Sequence, residues 1–180
     1  MKMQLTLIGV ALASVLSAPA FAANTITFSG EVTDQTCSAV VNGGTDPVVV
    51  LDSVPLADLD GAVGKSAGES AFTLTLTGCA APATAAEHFT TLFQATNATA
   101  GGNMTNTAAA GASGVALQLL DGVGGARVRL GGGPVSAGDI VLATGQTSAS
   151  HDYAVQYISE AATVTPGPVL GSVTYTIRYE

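Results

Sequence analysis

Ser150, His151 and Asp152 have the residue types of a hydrolytic catalytic triad. In such a triad the histidine takes a proton from the serine hydroxyl, and the carboxylate orients the imidazole ring. Here the three residues are contiguous, and adjacent residues of a strand point to opposite faces, which argues against a working triad. The triplet is interpreted as a polar loop or the start of a strand before Tyr153.

The other candidates for chemistry are also incomplete. Glu87 and His88 are an acid–base pair, interpreted as a solvated turn. The glycines at 122–125 and 131–133 are followed by no helical pattern, which a phosphate-binding loop requires. Residues 58–61 (DLDG) begin like a calcium loop but lack the later ligands. The sequence therefore predicts a protein that is not an enzyme and that has no metal site and no cofactor.

Cys37 and Cys79 are the two cysteines of the chain. The alternatives are a disulfide, two free thiols or a metal pair. A metal site needs further Cys or His ligands at short spacing, and His88 and His151 do not supply them. A disulfide would close 79 − 37 = 42 positions and would stabilise the fold by roughly 4 kcal/mol. We expect the disulfide, because the chain also has an export signal.

That signal lies in residues 1–22. Lys2 supplies the positive start, residues 5–16 (LTLIGVALASVL) form an apolar run, and residues 20–22 (AFA) are an A-x-A cleavage site. The run is too short to span a bilayer, and no cysteine follows it where a lipid anchor would be attached. We expect an exported mature chain that begins at Ala23 and forms one domain.

The mature chain is strongly acidic. With Lys2 removed, four basic residues stand against 13 acidic ones, a formal charge of −9. Such a surface repels nucleic acid and anionic membranes, and the remaining basic residues are scattered. Neither nucleic acid nor a membrane surface is predicted as a partner.

Apolar and polar residues alternate along most of the mature chain, which is typical of half-buried strands. Threonine fills many polar positions, as in Phe72–Thr77 and Val173–Glu180, and its branched Cβ favours the pleated backbone. Further strands are predicted at Val48–Leu51, Phe89–Ala95, Val115–Leu120, Ala126–Leu130, Ile140–Leu142 and Tyr153–Ile158. Turn signals of Gly, Asn, Asp and Pro separate them. The pattern predicts an all-β sandwich.

Two segments do not have this alternation. Residues 80–87 have room for one short helical turn. Residues 95–114 (ATNATAGGNMTNTAAAGASG) are small and polar, which predicts an exposed loop or a strand edge with long turns.

A strand is predicted at each end of the mature chain. The inward side chains of the first are Ile26, Phe28, Gly30 and Val32, and those of the last are Val173, Tyr175, Ile177 and Tyr179. Alternation alone is equally consistent with two edge strands of one complete sheet.

Five segments resemble, in their order, the type 1 fimbrial subunits of the chaperone–usher family of Gram-negative bacteria. They are TITFSGEVTDQTC (25–37), FTLTLTGC (72–79), GVALQLLD (114–121), YAVQY (153–157) leading to TPG (165–167), and the C-terminal strand with its penultimate tyrosine. Together they cover nearly all of the mature chain.

The resemblance implies an incomplete immunoglobulin-like β-sandwich that is completed by donor-strand exchange, a form of β-strand addition. Residues 23–33 would be a donor-strand extension and residues 34–180 the pilin domain. The implied donor residues are Ile26, Phe28, Gly30 and Val32, and the implied acceptor groove, where a chaperone also binds, is lined by Val173, Tyr175, Ile177 and Tyr179.

The resemblance also implies partners and a location. The partners are neighbouring pilin subunits, a periplasmic immunoglobulin-like chaperone that lends a strand before assembly, and an outer-membrane usher. The location is a fimbria on the cell surface, which serves adhesion. The alternative function is a self-complete, secreted, lectin-like binding module in which Ile26–Val32 pairs within its own sheet.

Overall fold

The computed structural model of the protein describes residues 36–45 and 47–180. The elements in this part of the chain are β1 (Ser38–Val41), α1 (Leu56–Leu59), β2 (Ser66–Thr77), β3 (Glu87–Ala95), β4 (Met104–Thr105), β5 (Val115–Leu120), β6 (Arg127–Val128), β7 (Val135–Leu142), β8 (Ser148–Ser159) and β9 (Val173–Tyr179). The predicted all-β class is confirmed. Among the described residues, no helix has the length and apolar character needed to cross a membrane.

The strands form two antiparallel sheets. The first sheet has the order β1-β2-β8-β5-β4, with β6 also paired to β5, and the second has the order β7-β3-β9. The alternation in β2 places Phe72, Leu74 and Leu76 in the interior and leaves the intervening threonines partly exposed. One face of each sheet is therefore apolar, and the core lies between these two faces.

Tyr153 of β8 lies at the centre of the core and is fully buried. Its ring is 5.6 Å from that of Phe72 and 4.9 Å from that of Phe93 in the second sheet. Its hydroxyl is 2.9 Å from the Thr91 hydroxyl and 3.0 Å from the Ala137 carbonyl. Because the carbonyl can only accept, Tyr153 donates to it and Thr91 donates to Tyr153. Burial raises the pKa of Tyr153 to about 12, so the phenol is neutral at physiological pH.

Gly138 makes room for this hydroxyl. The pairing of β3 with β7 shifts register between Phe89 and Thr91, as at a β-bulge, and Gly138 in the shifted part of β7 has φ +74°. A Cβ at Gly138 would lie 2.1 Å from the Tyr153 hydroxyl oxygen. The bulge therefore lets the second sheet receive a polar group of the first without a steric clash.

Several elements differ from the sequence prediction. Val48–Leu51, predicted as a strand, pairs with no strand of the described chain. The predicted strand Ala126–Leu130 is reduced to Arg127–Val128. No helical turn lies in residues 80–87, and the short helix is at Leu56–Leu59 instead. Residues 95–114 follow the second of the two predicted alternatives, a strand edge with long turns, because they contain the edge strand β4; they also bury Asn103 and Met104.

Gly138→Ala tests the fit between the bulge and Tyr153. We expect a loss of about 3 kcal/mol in the free energy of unfolding, from a left-handed alanine together with the clash. Gly145→Ala is the matched control, since Gly145 has φ +77° and no described atom within 4 Å of the new Cβ. It should lose only about 1 kcal/mol. Chemical denaturation of both variants measures the difference, and equal losses would contradict the proposed contact.

Candidate strand-addition edge

The edges of the two sheets are built differently. Edge strands risk pairing with other chains, and proteins limit that risk with short strands, bulges and charges. Strands β1, β4 and β6 have only 4, 2 and 2 residues, and β7 is interrupted by the bulge at Gly138 and carries Asp139. Strand β9 has 7 residues, no glycine or proline, and an unshifted register with β3. In the described part of the chain, it is the longest edge strand without a bulge, and Arg178 is its one charged residue.

The register of β9 shows which of its backbone groups face away from the sheet. Thr96 N donates to Ser172 O, and Glu180 N donates to His88 O, both at 3.1 Å. Because hydrogen-bonded and non-hydrogen-bonded pairs alternate along an antiparallel ladder, the even-numbered residues of β9 hydrogen-bond to β3. The N–H and C=O groups of Tyr175 and Ile177 therefore point away from β3, to a side where the described residues provide no strand.

The inward side chains of β9 are only half-buried. Tyr175, Ile177 and Tyr179 lie opposite Phe93, Thr91 and Phe89 of β3. Those three β3 residues are buried to 1% exposure or less, while the β9 residues are intermediate although they pack against the same core. The inward side chains of β9 are therefore more exposed to solvent than those of the adjacent strand β3.

Tyr residues hold this edge against the rest of the sandwich. The Tyr179 ring packs edge-on against Phe89, with 5.0 Å between centroids. The Tyr175 hydroxyl lies 3.5 Å from the Ala39 carbonyl of β1 in the first sheet. The edge is therefore pre-positioned by its own core contacts, and its outer backbone groups are presented in a regular row.

The predicted disulfide between Cys37 and Cys79 is present, with 4.1 Å between the Cα atoms. It joins the residue before β1 to a residue just beyond β2, next to the paired residues Ser38 and Thr77. The Thr36 hydroxyl donates to the Gly78 carbonyl at 2.7 Å beside it. The disulfide therefore fixes the position at which the N-terminal part of the chain enters the sandwich.

Other predicted site residues lie outside the described part of the chain. These are the donor residues Ile26, Phe28, Gly30 and Val32, and with them the signal peptide 1–22 and the extension 23–33. Their roles stay predictions.

The residues considered first for catalysis are not assembled into a site. Asp152 accepts a hydrogen bond from the Thr73 hydroxyl at 2.6 Å, whereas His151 packs its ring 4.6 Å from that of Tyr153. His88 pairs with Asp139 at 2.9 Å. Within the described residues, no group of three or more His, Cys, Asp or Glu side chains is arranged to hold a metal ion.

A family model described as "Fimbrial protein" matches residues 26–180. This chain belongs to the fimbrial protein family. The fimbrial protein is 36% identical over 158 residues to the F17 fimbrial protein of Escherichia coli, covering 86% of each chain. It is 37% identical over 175 residues to the major fimbrial subunit SMF-1 of Stenotrophomonas maltophilia (strain K279a), covering 92% of this chain and 99% of that one.

Solved structures share the fold of this fimbrial protein. A Burkholderia pseudomallei antigen and type I fimbria protein is similar with a TM-score of 0.55 at 23% identity, over 81% of this chain and 99% of that one. The P pilus rod subunit PapA is similar with a TM-score of 0.54 at 16% identity, over 87% and 100%. The resemblance to chaperone–usher fimbrial subunits that the sequence suggested is confirmed.

Sequence reasoning missed that Val49 and Leu51 lie in no strand of the described chain. Both pack against the main core, while Val48 and Val50 are 83% and 82% exposed. The segment VVVL has no polar residue on its outer face, which favoured a strand buried in a sheet. The segment differs from a strand buried in a sheet in that its outer face is apolar but has no strand beside it.

Replacing both cysteines by serine tests what the disulfide contributes. We expect the free energy of unfolding to fall by about 2–4 kcal/mol, because the unfolded chain loses a long closed loop. Reduction of the wild-type protein is the control and should shift the denaturation midpoint equally. A double variant as stable as the oxidised wild type would contradict this role.

Proposed function

We propose that this fimbrial protein is a structural subunit of a chaperone–usher fimbria that polymerises by donor-strand exchange. The N-terminal extension of one copy pairs with β9 of the next and completes its sandwich. The observation that supports this most directly is the edge strand β9, which is long, has no bulge and has half-buried inward side chains. Membership of the fimbrial family and the similarity to a rod subunit agree with it.

The chemistry of the N-terminal segment fits this edge. Ile26, Phe28 and Val32 alternate with polar residues, so a strand from 25 to 32 presents them on one face. Burying each such side chain stabilises the complex by about 1.5–3 kcal/mol. The outer N–H and C=O groups of Tyr175 and Ile177 supply ladder hydrogen bonds. Gly30 has no side chain and suits a shallow place in the groove.

The segment Val48–Leu51 is a further candidate for contact with a donor strand. Val49 and Leu51 pack against the same core as the inward residues of β9, and the segment has no strand partner in the described residues. In the proposed assembly, a donor strand covers the core where the burial of β9 is incomplete.

The unassembled groove explains the need for the other proposed partners. An open apolar edge aggregates readily, so a periplasmic chaperone that lends a strand keeps the subunit soluble. Exchange of this strand for that of the next subunit takes place at an outer-membrane usher. The assembled fibre then stands on the cell surface and serves adhesion. This path requires the export signal in residues 1–22.

Deletion of residues 23–30 tests the donor role. We expect the truncated subunit to accumulate in complex with the chaperone and to form no fibres, as seen by electron microscopy. A synthetic peptide of sequence 24–32 should release it as a soluble complex. In hydrogen exchange, the amides of Tyr175 and Ile177 should become protected when the peptide binds, whereas those of Thr176 and Arg178 should be protected throughout.

The same peptide with Phe28→Asp is the control and should not bind, because it would place a charge in an apolar groove. Fibres formed by the truncated subunit would rule out the donor role. A mature chain with residues 23–30 intact that purifies without chaperone as a stable, cooperatively melting monomer would favour the self-complete binding module.

Two neighbouring substitutions on β9 test the acceptor role. Ile177 faces the core, whereas Thr176 faces outward. Ile177→Asp should abolish fibre assembly, and Thr176→Asp should leave fibre yield within about twofold of wild type, because its carboxylate stays in water. Fibre yield and periplasmic subunit level are measured together, so that loss of folding is separated from loss of assembly. Equal effects of the two would argue against the groove.

A further inference from the structure

A row of amide side chains crosses the first sheet away from β9. Gln156 of β8 and Gln118 of β5 lie opposite each other, and Gln156 Nε2 donates to Gln118 Oε1 at 2.9 Å. Gln118 Nε2 donates to Asn103 Oδ1 at 3.2 Å, and Asn103 Nδ2 donates to Glu160 Oε1 at 2.6 Å. The row thus runs in one donor direction and ends on a carboxylate.

This row is fixed in place. Asn103 and Gln118 are only 4% and 7% exposed, and buried amides hold their orientation when their hydrogen bonds are made. Glu160 Oε1 also accepts from the Thr99 hydroxyl at 2.6 Å. Gly101 lies so close that a Cβ there would be 2.7 Å from this oxygen. Glu160 therefore has a defined position before any ligand binds.

Three members of the row, Gln118, Asn103 and Glu160, line a pocket of about 350 Å³ between residues 63–66 and 101–103. Glu160 and Arg127 both line it, and they form no ion pair with each other. The Arg127 guanidinium is held by the Gly101 carbonyl. Glu160 Oε2 has no hydrogen-bond partner among the described residues. Opposite charges thus face one cavity with free hydrogen-bonding capacity on each.

We propose that this pocket binds a neutral polyhydroxylated ligand, a saccharide. A hydroxyl group donates and accepts at once, so it can donate to Glu160 Oε2 and accept from the guanidinium of Arg127. The carboxylate disfavours an anionic ligand and the guanidinium disfavours a cationic one. Polar groups converging on a concave pocket are the usual basis of small-ligand specificity.

The site is separate from the proposed assembly edge. Its residues lie on β2, β5, β6 and β8 or in the loops next to them, whereas β9 belongs to the other sheet. Binding of a donor strand to β9 uses none of them. A saccharide site here would give each copy in a fibre its own binding function.

Saturation-transfer difference NMR with the mature chain, kept soluble as its complex with the chaperone, tests the proposal. The probes are the methyl glycosides of glucose, galactose, mannose and N-acetylglucosamine, at about 10 mM to detect dissociation constants near 1 mM. The variants are Glu160→Gln, which retains the acceptor for Asn103 and Thr99, and Ser66→Leu, which fills the pocket from an exposed position. Ser150→Leu, at an exposed position of the same sheet outside the pocket, is the matched control.

We expect saturation transfer to at least one glycoside in the wild type and in Ser150→Leu. Glu160→Gln should weaken binding about tenfold, because a charge-assisted hydrogen bond is lost, and Ser66→Leu should abolish it. Unchanged melting temperatures show that the variants are folded. No transfer to any of the glycosides with the wild type overturns the proposal, as does equal transfer in all four proteins.

Discussion

The outer N–H and C=O groups of β9 have no strand partner among the described residues. The proposed function depends on pairing these groups with a strand of another molecule. A buried or half-buried N–H or C=O without a partner costs free energy comparable to a lost hydrogen bond. The other edges are short or bulged, so they are suited to stay in water. Strand β9 has alternating β-branched and aromatic residues that keep it straight and regular. Strand pairing with another molecule is therefore favoured at one edge, β9. The proposed assembly of subunits in a defined order requires such a single edge.

The core supports this edge from behind. Phe89 and Phe93 of β3 are buried beneath Tyr179 and Tyr175, and Tyr153 joins both sheets through Thr91 and the Ala137 carbonyl. At the other side, the disulfide joins β1 to β2 where the N-terminal part of the chain begins. The proposed acceptor edge and the residues next to the disulfide are thus both held by contacts within one sandwich. Rigid anchoring lowers the entropy that assembly must overcome.

Much of this could be predicted from alternation. Phe72–Thr77 and Val173–Tyr179 became strands because their apolar residues repeat with period two and the sheets bury one face. Val115–Leu120 is almost entirely apolar and is buried on both faces. The prediction of a strand at Val48–Leu51 was wrong, because an apolar run favours an extended conformation but does not show which segment would pair with it. Which strand is an edge, and which amides of β9 face outward, depend on pairing between distant segments. The row from Gln156 to Glu160 was not predictable for the same reason, since its members come from three separate stretches of chain.

The two sheets differ in how completely other parts of the chain cover them. Strand β5 is buried on both faces, because residues 99–103 and the segment with Arg127 lie over its outer side. Buried polar groups there must be paired, and the amides of Gln118 and Asn103 pair with each other and with Glu160. The second sheet has three strands, and its edge strand is incompletely covered. The proposed assembly adds a strand at β9 and leaves the pairing within the covered sheet unchanged, so the proposed edge and the proposed pocket would serve different partners.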